Sequence, residues 1–343
     1  LILKKNPKYR KEVFPSVPEG HELAYMANYT GKTLPFVDEL HFHIFKESQP
    51  QWLNFLAGKI DISGVPKDNF DQAISNFTSL SDDLKKQGIK LYSYTPALTY
   101  WLEYNMKDPV VGKNKALRQA ISHAINFDQY NKTFLNGRGA LTSSLVTPGI
   151  EGFSHDPSKI PTYDLEKAKQ ILKQAGHPNG KGIPELTYDI RGSGTSSRQR
   201  AEFFKNSLSK IGLKLKIVPN SFPGFLEKSR SGNLQFSTGG WQADYPDPEN
   251  FLLLLSKESL PPGPNSAQYV NPQFEKLYQK IIKMPSSPER VKLIHQAEEV
   301  VRKDHPRSMS YYLKSFSLYH DHVKAFVPSG LINNTYKYVD IKK

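Results

Sequence analysis

Gly239-Gly240-Trp241-Gln242-Ala243-Asp244-Tyr245-Pro246-Asp247-Pro248-Glu249-Asn250-Phe251 is the stretch on which the fold turns. Upstream, Leu234-Gln235-Phe236-Ser237-Thr238 alternates apolar and polar side chains, the period of a half-buried strand. Downstream, Phe251-Leu252-Leu253-Leu254-Leu255 is apolar enough to enter a core. Pro246 and Pro248 have no amide to donate and push the residues before them out of the helical region. The pattern predicts a strand ending at residue 238, followed by a stiff loop that carries Trp241, Asp244, Tyr245, Asp247 and Glu249. Stiff loops on a scaffold are common places for recognition groups. A solvated acidic turn fits the same residues equally well.

Outward from this loop, the chain alternates strand and helix signals. Leu186 to Ile190 reads as a strand, Ser197 to Ile211 as a helix, Leu213 to Val218 as a strand and Phe222 to Arg230 as a helix. A strand–helix–strand unit of this length favours parallel neighbours, so a largely parallel sheet is expected between residues 97 and 312. Lys115 to Ala124 places Leu117, Ala120, Ile121 and Ala124 on one helical stripe. Asp164 is a plausible N-cap for a helix that Gly176 stops. Phe274 to Met284 and Pro288 to Arg302 complete the helices, and Met309 to Leu313 is a strand. The first 96 residues read as strand-rich, with a helix over Gln51 to Ala57 and a strand at His41-Phe42-His43-Ile44-Phe45. The tail, Val323 to Val327 and Tyr336 to Asp340, reads as strands, and residues 313–343 should pair with residues 1–96 in one sheet.

Composition narrows the function. The 343 residues are enough for two domains, and 12% aromatic content argues against disorder. No run approaches the roughly 18 apolar residues that a transmembrane helix needs. The net charge of +13 comes from basic residues spread along the whole length, without the dense block that marks nucleic-acid binding. The absence of cysteine removes disulfides, thiolate catalysis and Cys-based zinc sites. His41 and His43 would share a strand face, but no third ligand is placed near them. A solvated face is expected there, with no metal and no cofactor. Arg191-Gly192-Ser193-Gly194 lacks the spacing of a phosphate loop. Asp244, Asp247 and Glu249 suggest paired carboxylates for a glycoside-processing enzyme. No Gly-x-Ser-x-Gly elbow, His-Glu-x-x-His or cysteine nucleophile accompanies them, and no catalytic residue is expected.

Gly-Trp-x-x-Asp-x-x-(Asp/Glu)-Pro before an apolar run resembles the signature loop of the family 5 solute-binding proteins, the extracytoplasmic receptors of ABC importers. Asn6-Pro7-Lys8-Tyr9, Gly58-Lys59-Ile60-Asp61-Ile62, Leu117 to Asn126 and Tyr163 to Gly176 are similar to further family segments, in the same order. The resemblance implies an α/β fold of the periplasmic-binding-protein type (type II, cluster C). Two lobes would surround a ligand cleft, with the N-terminal part of one lobe missing. It implies a partial discontinuous lobe at 1–96, a complete lobe carrying the signature loop at 97–312, and a return at 313–343. Family members bind short peptides and deliver them to a membrane permease, so peptide and permease are the implied partners, for a receptor expected to be monomeric. The expected location is periplasmic or extracytoplasmic, with a lipid anchor as one way of attaching the missing N-terminus.

Residue by residue, the resemblance gives Asp244 the ligand's α-ammonium and Trp241 the role of aromatic wall, with Tyr245 beside them. Arg191 would grip the α-carboxylate, and Trp101 would be a lining aromatic. Oligopeptide-binding relatives carry arginines where this chain has Ser229 and Thr238, which favours short peptides. Oligosaccharide, nickel or haem in the same fold is the alternative, followed by a ligand-sensing regulator domain.

Overall fold

Polar residues placed just before apolar runs start many of the helices. The side-chain oxygens of Asn114, Asn126, Asp164, Ser221 and Ser287 each accept a backbone N–H from the first turn that follows. Those N–H groups would otherwise have no partner. The computed structural model describes residues 1–20, 23–326, 329–331 and 335–342. The chain divides into two compact units, Leu1–Pro96 with Lys314–Lys343, and Ala97–Leu313.

The smaller unit begins with β1 (Ile2–Lys4), β2 (Glu39–His41), α1 (Ser48–Leu56), β3 (Ile62–Gly64), α2 (Phe70–Ala73), β4 (Ile74–Ser75), β5 (Ser79–Leu80), α3 (Asp82–Lys86) and β6 (Ile89–Tyr94). The larger unit runs through β7 (Leu98–Tyr104), α4 (Lys115–Ala124), α5 (Phe127–Leu135), β8 (Gly139–Leu141) and α6 (Leu165–Gln174). It continues with β9 (Leu186–Arg191), α7 (Thr195–Ser209), β10 (Leu215–Asn220), α8 (Phe222–Arg230) and β11 (Phe236–Gln242). Then come α9 (Glu249–Leu252), α10 (Pro272–Ile281), α11 (Pro288–Asp304) and β12 (Arg307–Leu313). The chain re-enters the smaller unit as β13 (Ser315–His320), β14 (Val323–Ala325) and β15 (Asp340–Ile341).

In the smaller unit β13 lies between β3 and β6, antiparallel to both, so the sheet is made from both segments of the chain. Trp52, Phe55, Phe70, Leu80, Phe316 and Leu318 bury one core against it. Two strand expectations fail here. The ladder at residue 41 stops after β2, extended by Phe42 alone, which donates its N–H to the Leu1 carbonyl at 2.8 Å and accepts from the Leu1 amino group at 3.0 Å. Tyr336–Tyr338 is a 3-10 turn, because Tyr338 and Val339 donate back to Thr335 and Tyr336 rather than across a ladder. β14 ends at Ala325, and Val327 lies outside the described residues.

The larger unit has a six-stranded sheet in the order β10-β9-β11-β7-β12-β8. It is mixed rather than largely parallel. β9 runs parallel to β10 and β11, whereas β11/β7, β7/β12 and β12/β8 are antiparallel. Helical crossovers join β9 to β10 and β10 to β11, which sets all three strands running the same way, with β9 in the middle. β7 and β12 are the strands by which the chain enters and leaves the unit, and they lie side by side in opposite directions. One face of the sheet presents Leu102, Tyr104, Tyr188 and Phe236 to a core that also takes in Leu117, Ile121, Phe204 and Leu208. Tyr104 and Phe236 stack across it at 5.3 Å. Each such fully buried side chain contributes about 1.5–3 kcal/mol by leaving water. A second core gathers Leu252, Leu255, Tyr269, Phe274 and Ile294 around α9, α10 and α11. Arg118 on α4 belongs to this scaffold. Its guanidinium is buried and donates to the carbonyls of Val111, Gly112, Asp304 and His305, which ties α4 to the end of α11.

Candidate ligand-binding site

The loop after β11 is built from the strand outward. β11 does not stop at residue 238 but continues to Gln242, so Trp241 stands on a strand and not in the loop. The continuation has a partner: Trp241 pairs with Thr99 and Gly239 with Trp101 on β7. The two glycines make that pairing possible. A Cβ on Gly239 would meet Trp101 Nε1 at 2.3 Å, and one on Gly240 would meet Tyr100 Cδ1 at 2.9 Å. The close approach therefore demands a residue without a side chain.

Ala243 donates to the Ala97 carbonyl at 2.8 Å and closes the ladder. The chain then turns under Asn250, a buried residue that none of the motif reasoning had singled out. Its Oδ1 accepts from Trp241 Nε1 at 2.9 Å and from the Asp244 backbone N–H at 3.0 Å. Two donors three residues apart are thus held by one oxygen. A polar residue immediately before the apolar run 251–255 was the available signal.

The three carboxylates of the loop differ in their partners. Asp247 accepts from the Glu249 N–H at 2.8 Å and from buried Arg290 at 2.8 Å, and the same arginine reaches Glu151 at 2.6 Å and the Ile281 carbonyl at 3.1 Å. Partial burial, the largest single influence, would raise the Asp247 pKa, but the Arg290 bond, the Glu249 N–H and the Arg290 charge together outweigh it and hold the carboxyl below its usual range. Glu249 accepts from the hydroxyls of Tyr245 and Tyr278. Asp244 is exposed, and its carboxylate takes no hydrogen bond or ion pair among the described residues. Two of the three acids are therefore consumed in fixing the loop, and the third is presented by it. That division leaves no pair of free carboxylates for glycoside chemistry.

Arg191, Trp101 and Trp241 share one face of the sheet. Asp189 pairs with Ser237 and Ser237 with Glu103, and side chains two residues on along each strand point the same way. Arg191 ends β9, is exposed, and lays its guanidinium 4.7 Å from the Phe225 ring centroid. Trp101 is almost fully buried, with 4% of its surface exposed, which makes it a packing residue of this unit. Its indole N–H donates to Glu103 at 2.8 Å, and Arg307 stacks on its ring at 3.8 Å. Burial pushes the Arg307 pKa down to about 10, with Glu103 opposing the shift. Tyr245 is exposed and bonded to Glu249, beside Asp244. No group of three or more His, Asp or Glu suited to a metal ion occurs among the described residues.

A mixed sheet flanked by helices, with a second unit built from both ends of the chain, is the α/β architecture of type II periplasmic binding proteins. The chain belongs to the bacterial extracellular solute-binding proteins, family 5, whose model matches residues 1–260. It is 26% identical over 312 residues to a dipeptide-binding protein of Escherichia coli, which covers 90% of this chain and 56% of the relative. It is also 26% identical over 320 residues to heme-binding protein A of Haemophilus influenzae, covering 92% of this chain and 56% of that protein. Among solved structures it resembles the periplasmic binding protein DppA of Helicobacter pylori in complex with the peptide STSA. The TM-score there is 0.78 at 28% identity, over 92% of this chain and 59% of that one. The chain thus spans somewhat more than half the length of these relatives. All of them are named as binding proteins, not as enzymes. No helix among the described residues is long and apolar enough to cross a membrane.

Proposed function

We propose that this chain is the ligand-binding part of an extracytoplasmic receptor that captures short peptides and passes them to the membrane permease of an ABC importer. Asp244 carries the assignment: an unpartnered carboxylate on a loop whose other acids are all engaged. It pairs with the peptide's α-ammonium, and such a pair strengthens as water is excluded from it. Trp241 supplies an apolar wall that accepts many side chains, and Tyr245 borders it. Arg191 takes the α-carboxylate through its two-pronged guanidinium. Trp101 contributes from behind by setting the spacing of β11 against β7. The receptor acts as a monomer, which sedimentation velocity would check.

A relative named for haem shares as much identity as the one named for dipeptides, so the ligand class rests on the site. A free carboxylate favours a ligand with a cationic end over one whose polar groups are anionic. In the full-length protein, Asp244→Ala should weaken a free-amine dipeptide by about 2–5 kcal/mol in calorimetry. The N-acetylated dipeptide should lose little, because it has no ammonium for the mutation to orphan. Equal losses for both peptides would reduce Asp244 to a loop residue.

A further inference from the structure

A cavity of about 320 Å³ opens at the end of β9, wholly inside the larger unit. Its walls carry Arg138, Arg191 and Arg200 together with Tyr100, Tyr188 and Tyr311. The single carboxylate on the lining, Asp189, is already engaged by Lys228 Nζ at 2.8 Å and by Asn220 Nδ2 at 2.9 Å. It does not offset the arginines. Arg191 makes no ion pair among the described residues and rests on Phe225. Arg200, on α7, has neither a hydrogen bond nor an ion pair among them, and its Nε is buried without a partner. Arg138 donates Nε to the Leu135 carbonyl at 3.0 Å. Burial, and then the neighbouring charge of Arg200, lowers the pKa of Arg138, as expected of cations gathered away from water. The tyrosines have partners of their own: Tyr100 stacks on Tyr311 at 5.4 Å, and Tyr188 shares a 2.6 Å hydrogen bond with Thr238.

Half-buried Arg200 shares this hollow with two further guanidinium groups and has a buried donor left unmade, which is costly to keep unless an anion joins it. The peptide's α-carboxylate accounts for Arg191 and leaves Arg200 unanswered. We propose that the cavity is a subsite for a second carboxylate, so that the preferred peptides carry aspartate or glutamate as their last residue. This rests on the peptide assignment above. Arg191 takes the α-carboxylate, Arg200 takes the side-chain carboxylate through paired N–H donors, and the tyrosine rings line the methylene stem between them. Neither motif nor spacing pointed to Arg200, because it acquires its meaning only from the cavity wall.

The test is calorimetry on the full-length protein with Ala-Glu and Ala-Gln, which match in size and differ in one charge. The wild type should favour Ala-Glu by about tenfold or more, and Arg200→Gln should bring the ratio close to one. Arg200→Lys, which keeps a point charge without the fork, should retain part of the preference. A wild-type ratio near one with both peptides bound overturns the subsite and leaves the peptide assignment standing. So does a ratio that Arg200→Gln does not change. Failure of the wild type to bind either peptide overturns both.

Discussion

The amide oxygen of Asn250 is buried beneath the signature loop and accepts from both the Trp241 indole and the Asp244 backbone. Asn250→Ala strands two donors, at a cost of about 1–3 kcal/mol. We expect that loss in the urea unfolding midpoint, with weaker peptide binding alongside it, whereas Asn250→Asp keeps an acceptor and should lose less. An unchanged midpoint for the alanine variant would mean that the loop does not depend on this bond. His305 offers a second test at this scale. It caps α11 in the left-handed conformation, with φ 59, and its Nε2 lies 2.5 Å from Ser122 Oγ. Burial, with Arg118, His123 and Lys115 adding to it, pushes its pKa from 6.5 down to about 4. The folded state therefore holds it neutral where the unfolded chain would protonate it. Its stabilising effect is whole above about pH 6.5 and is lost as pH falls toward 4, on the order of 3 kcal/mol in full. His305→Asn suits the left-handed backbone and should flatten the stability profile over that window. A profile as steep as the wild type's would place the titration elsewhere.

Between elements, the signature loop is held by contacts that no local pattern encodes. Arg290 on α11 joins Asp247 of the loop to Glu151, which precedes it by 139 positions in the chain. Arg290→Met removes the guanidinium and leaves both carboxylates facing a buried methyl. The cost should be about 3 kcal/mol, at the lower end for a broken buried pair because both acids keep some solvent. β11 and β7 are locked at closer quarters. Gly239→Ala drives a methyl into the Trp101 indole and should cost about 1–3 kcal/mol or more, with a shift in tryptophan emission as the ring moves. Wild-type emission and stability would show that the two strands have room to separate. Most of these elements were visible in the chain itself. The apolar stripe of α4, the Asp164 cap and the β9–α7–β10 alternation are local signals, and the helices and strands stand where those signals lie. Strand ends were less legible. Whether β11 stops at residue 238 or 242 depends on whether β7 offers it a partner, and a pairing partner is not a property of the strand's own sequence.

For the whole molecule, the return of the chain matters most. β13 fills the middle of the smaller unit's sheet, and Phe316 and Leu318 lie in its core beside Phe55 and Phe70. A chain ending at Leu313 would lose the central strand and expose both edges that it covers. We expect that truncation to leave residues 1–96 without slow-exchanging amides in β3 and β6, while the amides of β7, β9 and β11 stay protected. Protection retained in β3 and β6 would show that the first segment folds alone.

By itself the sequence determined the family, the class of fold and the loop that carries Asp244, because these rest on local periodicity, on breakers and caps, and on a motif read in order. It also placed Arg191 at a strand end, but it put Trp241 in the loop, where β11 in fact continues. Only the tertiary structure decided which of three adjacent acids is free, since that depends on Arg290, Tyr278 and Asn250 arriving from other parts of the chain. The same holds for Trp101, an aromatic by sequence and a buried spacer by packing, and for Arg200, one basic residue among 46 until the cavity around it denies it a partner. A side chain's identity is local. Its burial, its partner and its remaining free valence are set by what the fold brings against it.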